Sequence, residues 1–261
     1  MLILISPAKK MRMDPDSFPV RELPRFLPMT ECLLSRLRAL SYEELKALWK
    51  CNDSIAKENF ARIQNMDLRQ NLTCALTSYD GIQYRHLAPD VCSGAELSYL
   101  QEHLRILSGF YGVLSPFDGV TPYRLEMQAK LAMGEHGDLY GYWGDRIAKS
   151  LEQEGDILIN LASKEYAQGV LPHLKSGTRV ITCRFAERRG DRLVEKGTLC
   201  KMARGEMVRH LAETGAKDPA ALMDFSRLDF AFSKADSRED LLTFVRDGAA
   251  SGKKEDPWNL D

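Results

Sequence analysis

MLILISPAKK, residues 1–10, sets four apolar residues, Leu2–Ile5, ahead of Ser6, Pro7, Ala8 and two lysines. An aliphatic run without polar alternation is the pattern of a buried strand. ILINL at 157–161 is a second run of this kind, and RVITCRF at 179–185, apolar between polar residues, reads as another strand. The intervening sequence carries helical spacing. Leu33, Leu34, Leu37, Leu40, Leu45 and Leu48 repeat at three and four residues, and Ser41 with Glu44 forms a capping box that starts a second helix. Asp53 is placed to cap a third helix through Ile55, Phe60 and Ile63. Helices are expected over 93–107, 139–151 and 199–211, and a last one from Ser237 through Leu241, Leu242 and Val245. CALT at 74–77 and LDFAFS at 228–233 read as short strands, and the four prolines within 11–28 read as a long loop. Interleaved strands and helices predict an α/β fold, a mixed sheet covered by helices. Residues 1–247 are expected to form a single compact domain, and the Gly-, Ser- and Lys-rich residues 248–261 a flexible tail.

The bulk properties exclude several classes. With 44% hydrophobic and 28% charged residues the composition is that of a globular protein. The first apolar run is too short for a signal peptide's hydrophobic region, and no stretch approaches the roughly 18 apolar residues of a membrane span. The expectation is a cytosolic chain with no membrane partner. The formal net charge is -1, so any nucleic-acid surface must arise from local segregation of charge. Residues 179–210 carry nine Lys/Arg against four Asp/Glu, and residues 211–261 carry seven against eleven. Six cysteines and five histidines make no C-x-x-C, H-E-x-x-H or H-x₃-H spacing, so no metal site or cofactor is expected from local motifs.

The polar residues that follow the strands are the candidates for chemistry. Ser6 and Lys9 make an S-x-x-K spacing, which in penicillin-recognising enzymes puts hydroxyl and amine on one helical face. Here Ser6 ends a strand, and no S-D-N or Y-x-N element follows, so that reading fails. A hydroxyl and ammonium groups at a strand's carboxyl end suit an anion, and Lys10 adds a second cation. Asn160 and Ser163 lie in the equivalent position after 157–161, where they cap the next turn. In LRILSGFYGVLSPFDGVTPYRLEM, 104–127, Gly109 and Gly112 bracket Phe110 and Tyr111, with Arg105, Arg124 and Glu126 nearby. The glycine pair suits close backbone approach. Lys201 and Arg204 in KMARG, 201–205, stand early in a helix, where cations oppose the macrodipole; a placement of that kind points to anion binding.

Taken together, ISPAK, LSGFYGVLSPFDGVTPYRLEM, LYGYWGD at 139–145, NLASKEY at 160–166 and KMARG occur in an order that resembles the YaaA family of peroxide-stress resistance proteins. The resemblance spans essentially the whole chain. It implies a cytosolic bacterial protein that limits oxidative damage associated with unincorporated iron. It also implies a compact α/β fold with a helix-hairpin-helix-like element, a basic cleft and affinity for DNA, duplex or distorted. Read this way, Ser6, Lys9, Lys10, Arg105, Gly109, Tyr111, Gly112, Arg124, Asn160, Ser163, Lys201 and Arg204 form the nucleic-acid or anion site. Tyr111, Tyr123 and Trp143 are expected to stack on unpaired bases. No Glu-x-x-His pair of the ferritin type is present, so iron storage of that kind is not expected. A rival reading stays open: an enzyme acting on a small phosphorylated or nucleobase-like ligand held by Ser6, Lys9, Asn160, Ser163, Tyr166, Lys201 and Arg204, with Glu126 as acid or base.

Overall fold

The computed structural model describes residues 1–248; of the expected tail, 248–261, all but Gly248 lies outside them. Leu2–Ile5 forms β1, buried along its whole length, and a turn leads to the short β2 (Lys10–Met11). The proline-rich stretch then runs without helix or named strand to α1 (Leu27–Arg38). Next come α2 (Tyr42–Trp49), opened by the Ser41–Glu44 capping box, and α3 (Asp53–Asn65). Asn52, not Asp53, caps α3: its side chain accepts the Ile55 N–H, and Asp53 is the first helical residue. Thr73–Cys74 is β3. The predicted strand stops there because Ala75 and Leu76 donate their N–H groups to Asp118 O and Pro116 O, folding α4 (Ala75–Ser78) before β4 (Tyr79–Asp80) and α5 (Ile82–Leu87).

The helix expected over 93–107 divides. A capping box, Ser93 with Glu96, starts α6 (Gly94–His103), and the chain passes directly into β5 (Leu104–Ser108). Leu104 and Leu107 fit a helical period equally well, but Leu104–Ile106 find β1 as a partner, and tertiary pairing decides. β6 (Gly112–Leu114) and β7 (Gly119–Val120) follow. Residues 139–151 break at Gly144, φ +50°, into α7 (Leu139–Trp143) and α8 (Arg146–Glu152). Then come β8 (Ile157–Asn160), α9 (Lys164–Ala167), β9 (Arg179–Arg189), β10 (Arg192–Val194) and α10 (Gly197–Thr214). β11 occupies only Ala231–Phe232. The helix expected after Ser237 is instead β12 (Leu241–Asp247), which pairs in parallel with β9 from Leu241–Thr182 to Asp247–Arg188. Ser237 serves the preceding turn, donating to Ser233 O at 2.6 Å and accepting the Thr243 N–H at 2.8 Å. Thr243, Phe244 and Val245 suit a pleated surface, and the edge of β9 supplies one.

The main sheet runs β11-β12-β9-β8-β1-β5-β6, with β10 added to β9. β12, β9, β8, β1 and β5 are mutually parallel; β11, β6 and β10 pair antiparallel. The fold is therefore a mainly parallel, mixed α/β sheet. Ile3 lies between Leu104 and Ile159, which accounts for the unbroken aliphatic run of β1: it is a central strand with both faces covered. From β1 the chain moves outward to β5, then returns past β1 to β8 and continues to β9 and β12. The direction reverses between β1 and β8. In open α/β sheets the ligand crevice forms outside the carboxyl ends of the strands at such a point.

Candidate functional site: a basic cavity at the strand ends

Ser6 follows β1, and Ser163 lies three residues beyond the end of β8. Ser6 Oγ accepts the Ser163 N–H at 2.8 Å and donates to Ser163 Oγ at 3.2 Å, so the two strand ends are tied together. Beside this tie opens a cavity of about 470 Å³. Its wall includes Ser6, Lys9, Lys10, Arg124, Ser163, Lys201 and Arg204, seven of the residues singled out from sequence and drawn from four separate segments. Lys9, Lys10, Arg124, Lys201 and Arg204 face three carboxylates, Asp80, Glu126 and Glu165, so the lining is net positive in a chain that is almost neutral.

The cations differ in how they are held. Lys9 Nζ lies 2.8 Å from Glu126, and Lys10 Nζ 2.7 Å from Asp80, whose carboxyl is held low by Lys10 and then by Arg85. Arg124 has only a 3.6 Å contact with Glu126, and its Nε is buried without an acceptor. Lys201 is exposed. Arg204 is the extreme case. It is largely buried, its Nε has no partner, and among the described residues it makes no hydrogen bond and no ion pair. Burial pushes the guanidinium below its ordinary pKa, with Cys200, Glu195 and Cys183 opposing only at a distance. Gln83, 6% exposed, also lines the cavity with an unpartnered Nε2. Buried donors are normally paired, and a buried cation lacking a counter-ion is costly. Three such donors, on Gln83, Arg124 and Arg204, line this one cavity. Glu165 adds a titratable edge: burial raises its carboxyl above the usual range, and Glu126 raises it further.

Arg204 reaches the cavity because α10 seats closely on α5. A Cβ at Gly205 would stand 2.2 Å from Gln83 O and 3.0 Å from Leu87 N. Gly205→Ala must separate the two helices. The expected result is about 1–3 kcal/mol less stability in urea denaturation, together with weaker anion binding, because Gln83 and Arg204 shift apart.

The structure corrects other placements. Arg105 is not in the cavity. It lies on β5, 8% exposed, with Nε 2.8 Å from Glu154, beside a separate cavity containing Asp118. Gly109, Tyr111 and Gly112 belong to the β5–β6 hairpin, so this turn joins antiparallel strands and not helices. The close approach at Gly109 is to the chain itself: a Cβ there would meet Leu125 O at 2.7 Å. Gly112 has φ +76°. Tyr111, Tyr123 and Trp143 are 1%, 4% and 0% exposed, so they are not available to stack on bases. Trp143 donates to Gly109 O at 3.0 Å, and Tyr123 shares its hydroxyl with Tyr79 and Ser108. Asn160 shapes the turn from behind: Oδ1 accepts the Ala162 N–H, and Nδ2 donates to Thr182 Oγ1. Lys201 and Arg204 stand beyond the first turn of α10, which begins at Gly197, so the macrodipole argument does not apply to them. Ser6 and Lys9 each engage other partners, against a serine–lysine nucleophile. Gln83 and Tyr84 were not legible as site residues; their only signal was the Asp80-Gly81 turn ahead of α5.

The sheet and its strand-end cavity define a mixed α/β protein with a net-positive cavity at a topological switch point. The family model described as peroxide stress protein YaaA matches residues 1–236, and the chain belongs to that family. Its relatives include UPF0246 proteins of Lachnoclostridium phytofermentans, 48% identical over 246 residues (94% of this chain and 96% of the relative), and Agathobacter rectalis, 48% identical over 246 residues (94% and 99%). The UPF0246 protein of Lactiplantibacillus plantarum is 47% identical over 245 residues, covering 94% and 99%. Among the described residues no helix is long and apolar enough to cross a membrane, and no group of three or more His, Cys, Asp or Glu is placed to hold a metal.

Proposed function

We propose that the protein acts in peroxide stress by binding DNA phosphates at the basic cavity. The observation that carries this reading is Arg204, a largely buried guanidinium with neither hydrogen bond nor counter-ion among the described residues, set beside Arg124, Lys201 and the unpaired Nε2 of Gln83. A phosphate oxygen supplies what each of these donors lacks, and Arg offers the planar, charge-assisted geometry that phosphate prefers. Exposed Lys201, Lys9 and Lys10 at the rim suit further contacts along the backbone. In this reading, phosphates covered by the protein are withdrawn from ferrous iron, which would otherwise react with peroxide beside the DNA. Lowered iron damage is then a consequence of occupancy, without an iron site in the protein.

Binding of this kind releases counterions. The affinity for labelled duplex, read by fluorescence anisotropy across a salt series, should fall with a log–log slope of about -0.9 per phosphate contacted, near -3 for three contacts. Lys201→Ala should lower the slope by about one contact. An affinity indifferent to salt, or unchanged by Lys201→Ala and Arg204→Gln together, rejects the reading.

A further inference from the structure

A second cavity of about 470 Å³ adjoins the first, a volume in the range of small-molecule pockets. It lies between the α1–α2 region and residues 126–132, and the 2.8 Å Lys9–Glu126 ion pair stands between the two cavities. Its lining is of another kind. Leu40 and Leu48 are only half-buried and Ala47 and Ala132 are exposed, so apolar side chains face the space. The charged residues on the lining are Lys9, Arg36, Lys50 and Lys130 against Glu44 and Glu126. Most of these are engaged. Lys9 holds Glu126, Lys130 Nζ lies 2.8 Å from Asp138, and Glu44 accepts the Ser41 N–H at 2.8 Å and its hydroxyl at 2.7 Å. Arg36 stands near Glu44 but makes no ion pair among the described residues; its one hydrogen bond runs from Nε to Ala132 O at 3.4 Å. The Lys50 ammonium is exposed and has neither kind of partner among the described residues.

Lys50 is also held where a side chain is costly. It ends α2 with φ +47° and ψ 52°, the left-handed conformation in which helices most often end on glycine. A cation is thus kept on the lining of an apolar cavity, on backbone that glycine would adopt more easily. Apolar walls beside two cations without ion pairs match one ligand chemistry, an aliphatic body with an anionic head. We infer that this cavity takes an amphipathic carboxylate of the medium-chain fatty-acid type, its chain along Leu40 and Leu48 and its head at Lys50 and Arg36. A guanidinium pairs with a carboxylate through two parallel N–H bonds, and an ammonium adds a point charge. A neutral apolar molecule leaves both cations unused, and a cationic one is repelled by them. The inference does not rest on the DNA-phosphate reading, because neither Arg36 nor Lys50 lines the basic cavity.

The test uses the full chain and N-phenyl-1-naphthylamine, a neutral apolar dye that brightens on leaving water. Octanoate, decanoate and decylamine, each below its micelle concentration, compete for the dye. Decanoate should displace it about fifteenfold more tightly than octanoate, since each buried methylene contributes about fourfold. Decylamine, of the same length and opposite charge, should bind about tenfold more weakly than decanoate. Lys50→Gly suits the left-handed turn and removes the cation, so it should keep the dye and bind decanoate about tenfold more weakly. Ala47→Glu, at an exposed position on the lining, should turn the preference toward decylamine. A dye that does not bind, decylamine that matches decanoate, or a decanoate affinity unchanged in both variants overturns the inference. None of these outcomes bears on the DNA-phosphate reading, which its own salt series decides.

Discussion

Replacing Arg204 by methionine should weaken DNA binding by about 100-fold or more and, in the same protein, raise stability. The two effects share one cause. The guanidinium is largely buried without a hydrogen bond or counter-ion among the described residues, so the free protein bears its desolvation unpaid. An apolar side chain of similar length removes that penalty; even a buried ion pair exchanged for apolar residues is often neutral or stabilising by about 1–4 kcal/mol, and an unpaired charge has less attraction to lose. On the proposed phosphate reading, binding loses one of its charged donors; a charge-assisted contact in a partly desolvated site contributes about 2–5 kcal/mol when truncated. Thermal unfolding and anisotropy on one preparation check both. A methionine variant that binds normally, or that is markedly less stable, assigns Arg204 to the architecture of α10 instead.

The second large effect is expected from Asp118 and concerns stability alone. This residue is 4% exposed in a turn where its carboxylate accepts the Ser115 N–H at 2.8 Å. Burial raises its pKa from 3.8 to about 7, with Glu22 adding to the rise and the Ser115 bond, Arg105 and Arg25 opposing it. Both arginines are committed to Glu154, so among the described residues Asp118 has no ion pair of its own. A carboxyl raised on folding stabilises the fold fully below pH 3.8 and loses that contribution as pH climbs to and through 7. Asp118→Asn keeps an acceptor for Ser115 and carries no charge. Its stability relative to the parent should therefore improve between pH 4 and pH 8 by up to about 4 kcal/mol. Urea denaturation at the two pH values measures it. A difference that stays flat across this range shows that the carboxyl titrates at its ordinary value.

Both predictions depend on partners that are distant in sequence, and the fold divides along the same line. β1 and β8 were legible because a strand covered on both faces leaves an unbroken aliphatic run in the chain, and β9 because its apolar residues stand close together between charged ones. The Ser41–Glu44 capping box was legible because its bonds are local. The errors fell where one pattern serves two structures. Leu104 and Leu107 continue the spacing of α6, and only the open edge of β1 makes them a strand. Leu241–Val245 carry a helical pair after a capping serine, and only the edge of β9 draws them into the sheet.

The site shows the same division in finer detail. Ser6, Lys9, Ser163, Lys201 and Arg204 were visible as polar residues placed just after apolar runs or early in a helix, a local signal of a strand-end crevice. Residue type alone marked Arg105 as basic as Arg124; Glu154 takes it to the other cavity. Type also marked Tyr111, Tyr123 and Trp143 as stacking residues, although their hydroxyl and indole groups are bound within the core. The sequence by itself determined the buried central strands, the helices that cap locally and the segments that gather at the strand ends, because these follow from periodicity and short-range hydrogen bonds. Which cations keep a counter-ion, and which aromatic rings close into the core, was decided only by the tertiary structure. Pairing and burial are set by neighbours from α5, α10 and the 124–131 segment, and no local pattern records who those neighbours are.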